Sequence, residues 1–183
     1  LELTDDVAVR LGIVGAAVDA AERLCSLEPD DPDARTSLAS VLERLAREQA
    51  QQGDQAAAAA TAERSVAAAT RAVALAPQLW WPQHALVNSL RTAAAVQHEL
   101  GHFDAAQRSA REAVRVAAAL WQQYPTDLGR TWSYVDTLLR PELQDSEAPT
   151  RALEVLRQFS DAGGSRNDDL RRLEARAQSA GRR

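Results

Sequence analysis

The chain lacks the residues and runs on which several classes of protein depend. It has one cysteine, no methionine and no lysine among its 21 basic residues, and aromatic residues make up only 4% of its 183 positions. A single cysteine excludes an internal disulfide and a zinc ribbon built from paired cysteines. No stretch approaches the roughly 20 apolar residues of a membrane-spanning helix, and no basic-then-apolar leader opens the chain. We therefore expect a cytoplasmic protein with no membrane partner.

The charge balance and the missing motifs exclude further functions. Acidic residues outnumber basic ones by 26 to 21, which argues against nucleic acid as a partner because proteins that bind it present basic surfaces. The glycine-rich phosphate loops and the nucleophile elbow of serine hydrolases are absent from the sequence. The sequence therefore predicts a protein that is not an enzyme and needs no cofactor.

What the chain does contain is a fixed repeat. Pro29, Pro77 and Pro125 lie 48 residues apart, and Gly53 and Gly101 keep the same interval. A period in this range, with one proline and one glycine in each unit, is typical of stacked helical pairs. Such a protein is expected to hold other molecules and not to transform them.

Apolar and small residues return in the same register between these prolines and glycines. Within each segment they fall at i, i+3, i+4 and i+7, which places them on one stripe of a helix. Equivalent sets in successive units are Val18, Val66 and Val114; Ala21, Ala69 and Ala117; and Leu42, Leu90 and Leu138. Each unit is thus predicted to be two helices with one buried face apiece, and no segment has the pattern of a strand.

Proline and glycine also predict where the helices end, because proline disrupts a helix interior and glycine adopts the left-handed conformation that closes a helix. The predicted helices are 4–27, 33–52, 55–76, 82–100, 103–124, 127–140, 148–161 and 167–180. The predicted single domain, 1–183, consists of a half-unit at 4–28, units at 29–76, 77–124 and 125–162, and a capping helix at 167–180. No first helix precedes the half-unit, so we expect it to be a cap or a truncated unit.

Several short motifs link this repeat to a known family. They are Glu22-Arg23-Leu24, Pro29, Arg35, Ser37-Leu38-Ala39 and Gln52-Gly53-Asp54. Over roughly residues 4–161 the chain resembles the long-helix tetratricopeptide repeats (TPR) of multidomain bacterial proteins. The resemblance implies an all-α, right-handed stack of antiparallel helical pairs, a solenoid closed by the C-terminal capping helix. It also implies a scaffold or regulatory module of a larger protein, which binds a protein, a peptide segment or another domain of its own chain.

The resemblance also indicates where that partner binds, since the first helix of each unit lines the concave face in this family. The polar residues opposite the apolar stripe of each first helix are the candidates for contact. The candidate partner-binding residues are Ser40, Arg44, Asn88, Arg91, Thr92, Asp136 and Arg140. The alternative interpretation is that this polar row is simply a solvated helix face.

A few isolated side chains yield further expectations. Trp80 and Trp81 are next to each other near a proline turn, so one of them is expected to be exposed, and we predict Trp80 as the partner contact. Trp121 and Tyr134 match core positions of other units and are predicted to pack inside. The sequence also predicts a buried structural thiol and a solvent-facing imidazole, at Cys25 and His84.

One motif favours a different function. His98-Glu99-Leu100-Gly101-His102 has the H-E-x-x-H pattern, in which two histidines on one helix face hold zinc and the glutamate activates water. The repeat register places Gly101 in the turn between two helices, so His102 is predicted to lie past the helix end. A zinc-dependent hydrolase using His98, Glu99 and His102 is the alternative function, and self-association through the helices is a third.

Overall fold

In the computed structural model, which describes residues 2–165 and 167–181 and their side chains from residue 9 onward, the chain is all helical. Within these residues there is no strand, which confirms the predicted all-α class. The helices are α1 (Glu2–Leu27), α2 (Pro32–Gln51), α3 (Gln55–Leu75), α4 (Trp80–Glu99), α5 (Phe103–Gln123), α6 (Leu128–Leu138), α7 (Ala148–Asp161) and α8 (Asp168–Ala180), with a short 3-10 helix at Pro141–Leu143.

The predicted helix boundaries are confirmed to within about two residues, the usual uncertainty of a helix end. Pro29, Pro77 and Pro125 each lie in a turn between two helices. Gly53 and Gly101 have φ angles of +82° and +76°, in the left-handed region where a side chain is disfavoured. The local signals of proline and glycine are therefore sufficient to place these turns.

Side chains cap several of the helices. The Asp54 carboxylate accepts a hydrogen bond from the Ala57 N–H at 3.1 Å and so starts α3. Asp127 does the same for α6 by accepting from the Arg130 N–H at 2.8 Å. These caps satisfy backbone donors that have no partner within a helix. The Asp127 cap also fixes where α6 begins.

Each helix packs against the next one along the chain, and α2 also packs against α4, as α6 does against α8. The equivalent alanines and leucines of the repeat are buried in every unit: Ala21, Ala69, Ala117, Leu42, Leu90 and Leu138. The Cys25 thiol belongs to the same core, as predicted, and burial raises its pKa. Within the described residues no helix has the length and apolar character needed to cross a membrane.

Small residues allow α2, α3 and α4 to approach closely. Ala39 and Ala69 are completely buried at this junction. The buried Ser65 hydroxyl on α3 hydrogen-bonds to the Ala39 carbonyl of α2 at 2.8 Å and to the Ser89 hydroxyl of α4 at 2.7 Å. Both hydroxyls are thus satisfied without water, as buried polar groups require.

The C-terminal helix α8 packs against α7 and α6. Its buried side chains are Leu170, Leu173 and Ala177, the same three that the sequence identifies as its apolar face. Asn167 caps α8 by accepting from the Leu170 N–H at 3.0 Å. A short helix with one narrow apolar face is suited to the end of a series of packed helices, where its other faces meet solvent.

Candidate partner-binding groove

A groove of about 470 Å³ lies across α2, α4 and α6. Arg140, which lies just past the end of α6, also lines it. From α2 come Glu43 and Arg47, and from α4 come Asn88 and Arg91 among others. Its volume is within the range of about 300–1,000 Å³ that is typical of ligand sites.

The repeat register extends into the lining of this groove. Glu43 and Arg91 are 48 residues apart (91−43), and His84 and Trp132 keep the same interval (132−84). All four contribute to the groove, although their chemical characters differ within each pair. Equivalent positions of successive units thus form one surface with unequal side chains.

A buried carboxylate connects the groove to the rest of the fold. Asp136 of α6, only 6% exposed, forms an ion pair with Arg91 of α4. It also pairs with Arg140 at 3.4 Å and with Arg176 of α8 at 3.0 Å. Three guanidinium groups share this carboxylate, so the cluster has an excess of positive charge.

Arg91 is the most buried arginine of this cluster, with a side chain that is 10% exposed. Burial lowers its pKa while the charge of Asp136 opposes that effect, and arginine stays protonated at any physiological pH. The Nε atoms of Arg91 and Arg140 are buried and have no hydrogen-bond partner. The Arg91 guanidinium also lies 5.8 Å from the centroid of the Trp132 ring. Two buried donors of this cluster are therefore unsatisfied, which costs free energy.

A second ion pair, between Glu43 and Arg47 of α2, also lines the groove. Glu43 accepts a hydrogen bond from the Thr92 hydroxyl at 2.8 Å and pairs with Arg47 at 2.9 Å. Because the Arg47 side chain is 59% exposed, it presents its charge to solvent at the rim. The groove lining thus carries both signs of charge, three arginines and the two glutamates Glu43 and Glu99.

The structure separates the candidate residues into two sets. Four of the candidates line the groove: Asn88, Arg91, Thr92 and Arg140. A fifth, Asp136, forms ion pairs with two of these, Arg91 and Arg140. Ser40 and Arg44 are exposed on α2 but do not line it. The face of α2 that lines the groove is therefore rotated by one residue from the face that the sequence predicts.

Two of the candidates are not solvent-facing as expected. Thr92 is buried and its hydroxyl donates to Glu43, and Asp136 is buried and pairs with three arginines. The expectation for His84 is also wrong, since its side chain is half-buried. Burial and the nearby charge of Arg91 lower the pKa of His84.

Sequence reasoning missed Glu43, Arg47, Trp132 and Arg176. The register contains a signal for two of them, since Glu43 is one period before Arg91 and Trp132 is one period after His84. No such signal exists for Arg176, because α8 lies outside the repeat. Its contact with Asp136 spans 40 residues of sequence and depends on how α8 packs.

The tryptophans follow the sequence expectations. Trp80 is 47% exposed, whereas Trp81 is partly buried and its Nε1 donates to Asp33 at 2.8 Å. Trp121 and Tyr134 are partly buried against each other, with ring centroids 5.6 Å apart. Trp80 is thus free to contact a partner, while Trp121 and Tyr134 serve packing.

The H-E-x-x-H residues fall on two helices. His98 is in the last turn of α4 and packs its ring against Phe103, with centroids 5.1 Å apart. His102 lies on the far side of the turn at Gly101, at the N-cap position of α5 and without a side-chain capping hydrogen bond, so it is past the end of α4 as the register predicts. Glu99 accepts a hydrogen bond from the Gln55 amide at 2.7 Å. In the part of the chain that the structure describes, no three His, Cys, Asp or Glu side chains are grouped to hold a metal ion.

Comparison with known proteins finds no family model that matches the sequence and no curated protein that matches it. The function proposed below therefore depends on the groove and on the repeat.

Proposed function

We propose that this chain is a protein-interaction or regulatory module, and that its groove binds an acidic, extended segment of a protein partner or of another domain of its own chain. The observation on which the proposal depends is the charge of the groove lining, where three arginines, Arg47, Arg91 and Arg140, stand against two glutamates, Glu43 and Glu99. Acidic side chains and backbone carbonyls both supply acceptors for such donors.

The proposed architecture is a right-handed stack of antiparallel helical pairs of the tetratricopeptide type. Two observations support it: helices pack in chain order with an additional contact between α2 and α4, and positions 48 apart line one groove. In such a stack α2, α4 and α6 are the first helices of successive units. They would then form the concave face that meets the partner.

The polar groups of the groove suit an extended segment. Asn88, which lines it, has an amide that both donates and accepts, so it can bond to the backbone of a peptide. Arg47 of α2 and Arg140, which follows α6, offer positive charge, and Trp132 offers an aromatic ring. The proposal includes a cytoplasmic location in a larger bacterial protein and no catalytic activity.

The experiment is a fluorescence-anisotropy titration with a labelled peptide in which glutamate alternates with alanine. Its counterpart with lysine in place of glutamate is the ligand control. We expect saturable binding of the acidic peptide at low salt, weakening as salt is added because screening reduces attraction between exposed charges. The lysine peptide is expected not to bind.

Variants of two groove arginines test the site, and Arg44 of α2 provides a matched control for Arg47 of the same helix. Arg47→Gln and Arg140→Gln remove charges that line the groove, and each is expected to weaken the acidic peptide about tenfold. Arg44→Gln removes an exposed charge of the same helix outside the groove and is expected to leave affinity unchanged. Equal losses in Arg44→Gln and Arg47→Gln, or no binding of the acidic peptide by the parent protein, would overturn the proposed site.

A further inference from the structure

A second cavity, of about 350 Å³, lies among the start of α4, the end of α5 and the start of α6. From α5 it receives two buried apolar side chains, Ala117 and Leu120. From α4 it receives the rings of Trp80 and His84. A mainly apolar cavity of this size with a few polar groups is the usual form of a small-molecule site.

Two polar side-chain atoms of residues that line this cavity lack hydrogen-bond partners. Ser133 of α6 is only 4% exposed, and its hydroxyl oxygen is buried with no hydrogen-bond partner. The Nη1 atom of Arg130 is also buried and unpartnered. Burying such groups without partners costs free energy, more for a charged group than for a hydroxyl. Both residues line the cavity, so an acceptor bound there can satisfy them.

Arg130 is held in place by two aromatic rings. Its guanidinium carbon lies 3.9 Å from the centroid of the Tyr124 ring and 5.7 Å from that of Trp80. Among the described residues it forms no ion pair; Asp127, which also lines the cavity, accepts instead from the Arg130 backbone N–H at 2.8 Å. The guanidinium is therefore oriented by cation–π contacts, with its charge not neutralised by a bound carboxylate.

We propose that this cavity binds a small free carboxylate with an aromatic or branched apolar body. The carboxylate accepts hydrogen bonds from Arg130 and Ser133, and the body packs against Ala117, Leu120 and the ring of Trp80. This site is separate from the acidic-peptide groove, although His84 lines both. It adds a small-molecule ligand to a module whose proposed partner is a protein.

Phenylacetate is the probe that tests this proposal, followed by two-dimensional amide NMR of the whole chain. We expect saturable shifts that concentrate at residues 80–84 and 129–133. Phenylacetamide, which has the same body without the charge, is expected to bind at least tenfold more weakly, since a charge-assisted hydrogen bond is lost. Equal binding of the acid and the amide would contradict the role of Arg130.

Protein variants locate the site independently. Arg130→Gln is expected to weaken phenylacetate at least tenfold, and Ser133→Ala to weaken it by a smaller factor. Arg108→Gln, which removes an exposed arginine of α5 outside the cavity, is the matched control and should leave affinity unchanged. If Arg130→Gln does not fold, the comparison of acid with amide and the Ser133→Ala variant still decide the question.

The groove must be distinguished from the cavity, because it too contains arginines. Arg47→Gln is expected to weaken the acidic peptide but not phenylacetate, and Arg130→Gln to show the opposite pattern. Shifts confined to residues around Arg47 and Arg140, or no saturable shifts at residues 80–84 and 129–133, would overturn the cavity as a carboxylate site.

Discussion

Asp136 shows how much can depend on one carboxylate. It is buried and binds Arg91, Arg140 and Arg176, which come from α4, the end of α6 and α8. In Asp136→Asn the shape is kept but the charge that three guanidinium groups share is lost. We expect the free energy of unfolding to fall by about 3 kcal/mol, because removing one partner of a buried ion pair leaves the other charged and unpaired.

Urea denaturation of the parent and the variant measures this loss. Asp161→Asn makes the same chemical change at an exposed carboxylate at the end of α7 and should alter stability by no more than about 0.5 kcal/mol. Were the two variants equally stable, the arginines would not depend on Asp136 for compensation.

The burial of His84 predicts how the stability of the folded protein changes with pH. The pKa of His84 in the folded protein is lower than its ordinary value of 6.5, so the unfolded chain takes up the proton first as pH falls. Stability from this group is therefore constant above about pH 7.5 and decreases as pH falls below about 6.5. His84→Gln removes that decrease, and the variant should lose less thermal stability than the parent between pH 7.5 and about pH 5.5.

Thermal melting at the two pH values tests this, with His102→Gln as the control. His102 is exposed, so its replacement should leave the pH dependence of the parent unchanged. Identical pH profiles for the parent and His84→Gln would show that the imidazole is not the group responsible.

At the scale of elements, alanine sets the spacing between helices. Ala69 of α3 is completely buried, in the core that α2 and α4 share with it. Ala69→Leu adds three carbon atoms where none fit, and we expect a loss of about 2 kcal/mol, typical of overpacking. Ala60→Leu makes the same change on the exposed side of the same helix and should be neutral to about 0.5 kcal/mol. Chemical denaturation of the pair is the measurement, and equal midpoints would argue against close packing at Ala69.

Helix positions could be predicted well from the sequence because their signals are local. Pro77 and Gly101 act through the backbone conformations they allow, and those do not depend on distant residues. The groove was predicted less well, since the lining depends on how α2 is rotated relative to α4. A rotation of one residue exchanges Arg44 for Glu43, and a helical wheel of a single helix does not fix that angle.

The cavity near Trp80 could not be predicted in the same way. Arg130 and Ser133 are near Trp80 only because α6 packs on α5, and the turn at Pro125 allows several directions for the chain that follows. The exposed ring of Trp80 could be predicted because two adjacent tryptophans rarely both fit inside. Its contact with Arg130 is a tertiary feature without a sequence pattern.

For the whole molecule, the arrangement predicts unequal local stability. The helix α8 buries three apolar side chains against α7 and α6, whereas α3 lies between α2 and α4 in the main core. Segments with few buried contacts open at lower free energy than the core does. We expect the amides of residues 168–180 to exchange hydrogen for deuterium well before those of residues 55–75. Simultaneous exchange of both segments would mean that α8 opens only when the whole chain unfolds.

The shared carboxylate of Asp136 has a consequence for communication along the chain. Arg176 on α8 and Arg91 in the groove share the carboxylate of Asp136, so if a ligand in the proposed groove changes the Arg91–Asp136 ion pair, we expect its binding to be linked to the docking of α8. By reciprocity, a ligand that changes the free energy of α8 docking must bind with a different affinity when α8 is undocked. A charge added to α8 would then alter affinity in the groove with no change to any residue that the ligand touches, and the C-terminal helix becomes a place where binding can be adjusted from a distance.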